Sequence, residues 1–397
     1  MGNAELKAAS LELEPRLVDI RRELHQHPEL SNEEYETTAA IRRWLSEAGI
    51  RIAPYSLRTG LVAEVGSEET DGPIIALRAD IDALPVQEAT GLPFVSVYEG
   101  KMHACGHDFH TASLLGAALL LKEREAELQG KVRLIFQPAE EKATGAQQVI
   151  RSGALEGVQA VFGLHNKPDL PVGTVGIKSG PLMAAADGFK IQVDGIGTHA
   201  AVPDAGIDPI VAAAHIVTAL QSVVSRNVSP LDSAVVSVTK IHSGNSWNVI
   251  PDKAVMEGTL RTFDERVRKR VRERFAQVID GVASALDTTA QLNWIQGPPP
   301  VLNDSLLANL GKQAASSAGL EVVEPVPSSA GEDFAFYQQQ APGLFVFMGT
   351  SGTQEWHHPG FTLNEDALPY SARFLAQLAL DALKSEELLR KGETVVV

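Results

Sequence analysis

The chain holds a single cysteine, Cys105, in 397 residues, which excludes an internal disulfide. No run approaches 18 uninterrupted apolar residues, so no membrane-spanning helix is expected. The stretch from Met1 to Pro15 lacks the apolar core of a signal peptide and reads as polar and helix-prone. These deficits together predict a protein of the reducing cytoplasm. Cationic side chains are also scarce: 34 Lys and Arg stand against 50 Asp and Glu, a formal net charge of −16. Phosphate binding needs clustered Lys and Arg, so neither nucleic acid nor an anionic membrane is expected as a partner. The one basic cluster, 266–274, alternates with Glu and apolar residues and reads as the wet face of a helix. Internal repeats and long low-complexity segments are missing too.

What is present is an ordinary globular composition, 44% hydrophobic and 21% charged, in a chain long enough for two domains. Ser31-Asn32-Glu33-Glu34 resembles a capping box for a helix that Gly49 would stop. Short apolar runs then alternate with helices. Pro73 to Leu77, Val132 to Phe136 and Val158 to Leu164 read as buried strands, and Thr111 to Lys122 as an apolar helix. This alternation predicts an α/β domain with a mainly parallel sheet and helices on both faces. From about residue 183 the pattern changes to half-exposed strands (188–195, 234–241, 254–262) and two helices, opened by Asp208-Pro209 and by Thr262 to Glu265. That is a compact α+β unit, and the Pro-rich stretch 296–300 reads as the return linker. The expected organisation is one catalytic domain, 1–182 and 297–397, interrupted by a smaller lid or dimerisation domain, 183–296.

Polar residues gather just beyond the expected strands, where parallel sheets bind ligands. They are Asp80 and Asp82, then Glu140 and Glu141, then His165. Cys105 and His107 sit before the apolar helix, and His357 and His358 lie near the C-terminus. A thiol, imidazoles and carboxylates are ligands for a divalent cation. One catalytic zinc uses about three protein ligands, so this set is too large for one ion and suits two.

The chain also resembles a known family through motifs in order along most of its length. These include 24–29 (LHQHPE), 78–85 (RADIDALP), 103–108 (HACGHD) and 137–141 (QPAEE). Later come 197–201 (GTHAA), 248–251 (NVIP), 331–334 (GEDF) and 357–359 (HHP). The family is that of the dinuclear-metal peptidases and amidohydrolases. The branch is that of hippurate hydrolases, auxin-conjugate hydrolases and N-acetyl amino acid deacetylases. The resemblance implies two divalent ions per subunit (zinc, manganese, cobalt or nickel) held by Cys105, His107, Glu141, His165 and His358. It implies hydrolysis of an N-acyl amino acid by a metal-bound water, with Glu140 as general base. Asp82 would fix the tautomer of a ligand imidazole, and His199 would stabilise the oxyanion from the other subunit of a homodimer joined through the inserted domain, or of a higher assembly. Asn248, Arg261 and Gly331 would meet the substrate, the Arg261 fork taking its carboxylate. Of the paired histidines, His357 is the weaker candidate; His25, His27, His103, Asp108 and His110 read as structural support.

Two other readings stay open on the sequence. A carboxypeptidase or dipeptidase of the same family would use the same residues. A cysteine hydrolase with Cys105 as nucleophile would leave Glu140, Glu141, His165 and His358 without a task.

Overall fold

Continuous runs of Val, Ile and Leu fit strands that are buried on both faces, as in parallel sheets. In the computed structural model, which describes residues 3–67 and 72–388, three such runs become Ile74–Asp80, Lys131–Gln137 and Val158–Lys167. Ile74–Asp80 lies between the other two and is parallel to both. Gly343–Gly349 pairs in parallel with Val158–Lys167 on its other side. Short strands complete a sheet of eight: Arg51–Ile52 and Leu61–Val65 at one edge, Thr174–Gly176 and Glu321–Val323 at the other.

The helices His107–Lys122 and Leu368–Leu383 pack on each other and on this sheet. Their approach is close at Gly116, where a Cβ would lie 2.7 Å from that of Ala372. His107–Lys122 starts four residues earlier than its apolar pattern, so His107 falls in its first turn. The expected capping box is not formed. Helix Tyr35–Glu47 does follow it, but neither Ser31 nor Glu34 caps the helix. The Glu29 carboxylate instead accepts from the N–H groups of Glu36 (3.2 Å) and Thr37 (2.8 Å).

The half-exposed pattern gives a separate antiparallel sheet in the order Ala234–Ser243, Lys253–Thr262, Ala185–Asp194, Thr289–Ile295. Helices Pro209–Asn227 and Glu265–Ala285 cover it, and Phe189, Ile191, Ile216, Leu220, Met256, Phe275 and Ile279 form its core. The Asp208 carboxylate caps the first helix, accepting from Ile210 N–H at 2.8 Å and Val211 N–H at 3.3 Å, with Pro209 in the first turn. Among the described residues this helix alone is long and apolar enough to cross a membrane. Its apolar stripe is instead spent on the sheet. The basic cluster departs from its expected wet face at Arg268. That side chain is buried, and it grips the buried Asp187 through two hydrogen bonds of 2.7 and 2.8 Å. The partner lies 81 residues away in sequence, so helical periodicity alone carries no sign of it.

By its contacts the chain forms two units. One comprises the described residues up to Gly180, Leu302–Val326 and those from Asp333 onward; the other comprises Pro181–Val301 and Pro327–Glu332.

Candidate metal centre

The carboxyl ends of the three neighbouring parallel strands deliver most of the polar set. Asp80 ends one strand and Asp82 follows it; Gln137 ends the next and leads to Glu140 and Glu141; His165 lies near the end of the third. Cys105 arrives from the turn before helix His107–Lys122. That turn requires glycine at 106: φ is +84°, and a Cβ would lie 2.4 Å from the Asn166 amide nitrogen.

Hydrogen bonds fix which ring nitrogens face inward. His165 Nδ1 lies 2.8 Å from the Asn166 carbonyl and donates to it, so the Nε2 lone pair faces Cys105 Sγ at 3.5 Å. Burial holds His165 well below its ordinary pKa, so the ring is neutral and able to ligate. His107 Nδ1 donates to the Asp82 carbonyl at 2.9 Å, with Asp82 Oδ1 at 3.3 Å. Its Nε2 then lies 3.8 Å from Asp80 Oδ2 and 3.9 Å from Glu141 Oε1. His107 Nε2 and Glu141 Oε1 are both buried, without a hydrogen-bond partner among the described residues. Two donors on one zinc-sized ion lie roughly 3–4 Å apart, so these unpartnered atoms fit a cation between them.

Electrostatics agree with that fit. Burial lowers the His107 pKa, but Asp80, Asp82 and Glu141 outweigh it and raise the ring to about 10. A pocket that stabilises a proton so strongly calls for positive charge, which a metal supplies by displacing the proton. The groups of ligand atoms within 4.8 Å of one another among the described residues include Cys105, His107 and His165; Cys105, Glu141 and His357; and His107, Glu140 and Glu141.

The C-terminal pair lies differently from the expectation. His357 Nε2 lies 3.5 Å from Glu141 Oε1, whereas His358 joins none of the groups and its Nδ1 accepts from Gly360 N–H at 2.9 Å. The cause is local backbone. His357 has φ +67°, a left-handed conformation, and its N–H donates to the Ala104 carbonyl at 2.8 Å. Its side chain therefore turns in while the next one turns out. We expect His357→Ala to weaken metal binding by about tenfold or more, and His358→Ala to change it by less than about twofold, read by calorimetric titration of stripped protein.

Other candidates have their polar atoms engaged by neighbouring groups. His110 also forms a close group with Asp80 and His107. However, its Nδ1 donates to Asp80 Oδ1 at 2.6 Å and its Nε2 accepts from Asn166 N–H at 2.9 Å, so neither nitrogen is left for a metal. The Asp108 carboxylate is taken by His25 and Arg21. Asp82 does more than hold His107. Its two oxygens also accept from Glu140 N–H and Glu141 N–H, each at 3.1 Å, and from the Ser31 hydroxyl at 2.6 Å. Glu140 Oε1 accepts from Asp333 N–H at 3.2 Å. The Asp333 carboxylate is in turn held by Arg78, Gln137 and Ala146 N–H. Asn166 was not foreseen. Its side-chain amide spans the Cys105 carbonyl (2.6 Å), His110 (2.9 Å) and the Trp356 indole N–H (3.2 Å), and the only sign of it in the sequence is its place beside His165.

In the second unit, Thr198–His199 pairs with Val249–Ile250, which brings His199 beside Asn248. The Asn248 carbonyl accepts from Ala200 N–H at 3.0 Å. His199 Nδ1 accepts from Ala201 N–H at 3.0 Å, so a neutral ring carries its proton on Nε2 as a donor. Arg261 lines a cavity of about 610 Å³ with Val224, Val228, Val235 and Phe263. Its guanidinium donates to the Thr259 hydroxyl and the Leu260 carbonyl, and it makes no salt bridge among the described residues. Gly331 has a packing role: a Cβ there would lie 2.6 Å from that of Ala186.

Comparison with known proteins adds family context to this geometry. A family model described as peptidase family M20/M25/M40 matches residues 76–381. An N-acetyl-L-cysteine deacetylase of Bacillus subtilis is 55% identical over 375 residues, covering 94% of this chain and 90% of that protein. An IAA-amino acid hydrolase of Arabidopsis thaliana is 43% identical over 374 residues, covering 91% and 84%. A solved Bacillus subtilis structure, described as a dinuclear metal binding peptidase of the M20 family, superposes with a TM-score of 0.86 at 51% identity. It covers 94% of this chain and 99% of its own.

Proposed function

The chain belongs to peptidase family M20/M25/M40 and is a hydrolase, and from that premise we propose that it cleaves the amide bond of N-acyl amino acids. Cys105, His107, Glu141, His165 and His357 would hold two divalent ions, with Glu140 as proton carrier. The observation that carries this reading is the pair of buried, unpartnered ligand atoms, His107 Nε2 and Glu141 Oε1, next to Glu140. Thiolate and imidazole favour zinc, cobalt or nickel, while the carboxylates also admit manganese. Bound there, the ions would polarise the amide carbonyl and lower the pKa of water toward ~7.

The chain's own groups do the rest. Adjacent Glu residues divide the work: Glu141 ligates, and Glu140 takes the proton from the attacking water. Glu140 returns it to the nitrogen as the C–N bond breaks, so a carboxylic acid and a free amino acid leave. The His199 Nε2–H is the proposed donor to the developing oxyanion, with Asn248 beside it. A homodimer through the second unit belongs to the same proposal. It is supported by the edge strand Ala234–Ser243, whose outer ladder is unpaired among the described residues and which exposes Val235 and Ile241.

The substrate class is tested with N-acetyl, N-benzoyl and indole-acetyl amino acids beside dipeptides. Faster turnover of the acyl amino acids supports the proposal, and turnover of dipeptides alone overturns it. Arg261, half-buried and in no salt bridge among the described residues, is the proposed site for the substrate carboxylate. Methyl esters of good substrates should therefore lose about tenfold or more in kcat/KM, as expected for a lost charge-assisted bond. Equal kcat/KM for acid and ester would remove Arg261 from that role.

A further inference from the structure

The two residues that look like a helix cap and do not cap raise the question of what they do instead. The Glu34 side chain is fully buried, and among the described residues no Lys, Arg or His pairs with it. Burying a carboxylate without a cation is costly, so its partners are informative. Oε1 accepts from Ala139 N–H at 2.8 Å, and Oε2 accepts from the Thr59 hydroxyl at 2.7 Å. Ala139 precedes Glu140 and has φ +49°, a conformation disfavoured for a side chain with a Cβ. Such a residue stays in place only when its surroundings hold it.

The rest of the segment holds the same turn. Ser31 donates to Asp82, which accepts from the N–H groups of Glu140 and Glu141. Lys142 Nζ donates to the Ser31 carbonyl at 3.3 Å, and the Gln148 amide donates to Asn32 Oδ1 at 2.8 Å. The segment is itself anchored beside the strand end, because Ala83 N–H donates to the Glu29 carbonyl at 2.8 Å. The loop 29–34 thus clasps the turn 139–148 at several points, with Glu34 on Ala139, one of the turn's two left-handed alanines beside Ala143 (φ +51°).

The geometry points to Glu34 as a positioning residue for Glu140: it holds the left-handed Ala139 and thereby aims the carboxylate that moves the proton. This rests on the reading of Glu140 as proton carrier. Glu34 touches no ligand, so its loss should act on turnover and spare the binding of metal and substrate.

The experiment compares metal-loaded wild type, Glu34→Ala, Glu34→Gln and Thr59→Val on an N-acyl amino acid, with Glu140→Gln alongside. Glu34→Ala should lower kcat by roughly ten- to hundredfold, the scale of a small misplacement, with KM and metal content within about twofold. Glu34→Gln should recover most of that loss, because its amide oxygen still accepts from Ala139 N–H while its NH2 donates to Thr59. Peptides spanning 138–145 should exchange amide hydrogen faster in Glu34→Ala and Thr59→Val, with distant peptides unchanged. Should Glu34→Ala not fold, Thr59→Val, which removes only the hydroxyl holding Glu34, is read in its place for a several-fold fall in kcat. Wild-type kcat in the folded variant overturns the proposal, as does a Gln variant as impaired as Ala or a parallel loss of metal. An inactive Glu140→Gln beside a fully active Glu34→Ala would sink the clasp alone; an active Glu140→Gln would sink the reading it rests on.

Discussion

Replacing Glu140 by Gln should lower kcat by about 10²- to 10⁴-fold, the usual contribution of a positioned acid–base group. The swap is nearly isosteric. An amide oxygen can still accept from Asp333 N–H, and the backbone bonds of the turn to Asp82 are untouched. Fold and metal content should therefore survive, and the loss should fall on kcat. What disappears is the ability to take a proton from water and return it to the leaving nitrogen. Turnover close to wild type, with metal still bound, would mean that another group carries the proton.

The elements that bring Glu140 there were legible because parallel strands are buried on both faces. Burial leaves uninterrupted apolar runs, and polar residues just beyond them stand out. Glu141 and His165 stood out on that basis and Cys105 and His107 by their place before the apolar helix, and the four are brought together in space. The strands Thr174–Gly176 and Glu321–Val323 were not, because three residues carry no periodicity. The choice between His357 and His358 was decided by one positive φ, and identical side chains give no hint of it. Ser31 and Glu34 fit a local capping pattern, but their partners are Asp82, Thr59 and Ala139, from 25 to 105 residues away. Arg268 was misplaced for the same reason: a distant carboxylate, Asp187, outweighs helical periodicity.

Stripping the metal should have the largest effect of all, because every catalytic group here works around the proposed ions. Bound ions would lower the pKa of water toward ~7 and so supply hydroxide near neutral pH, which no side chain of this cluster does. Glu140 alone would face an unactivated carbonyl. The single cysteine gives a second readout independent of turnover. Cys105 Sγ lies 3.5 Å from His165 Nε2 and belongs to two of the ligand groups, so a bound ion would occupy its lone pairs. Alkylation should then be slow in loaded protein and fast in stripped protein, and one thiol per chain makes the stoichiometry unambiguous.

The decisive measurement is a metal titration of chelator-stripped protein, following hydrolysis of an N-acetyl amino acid and alkylation of Cys105 in the same samples. The account predicts no turnover without metal, recovery that saturates at two ions per chain, and protection of Cys105 over the same range. Full hydrolysis by the stripped protein, abolished once Cys105 is alkylated, would contradict it and make the thiol the nucleophile.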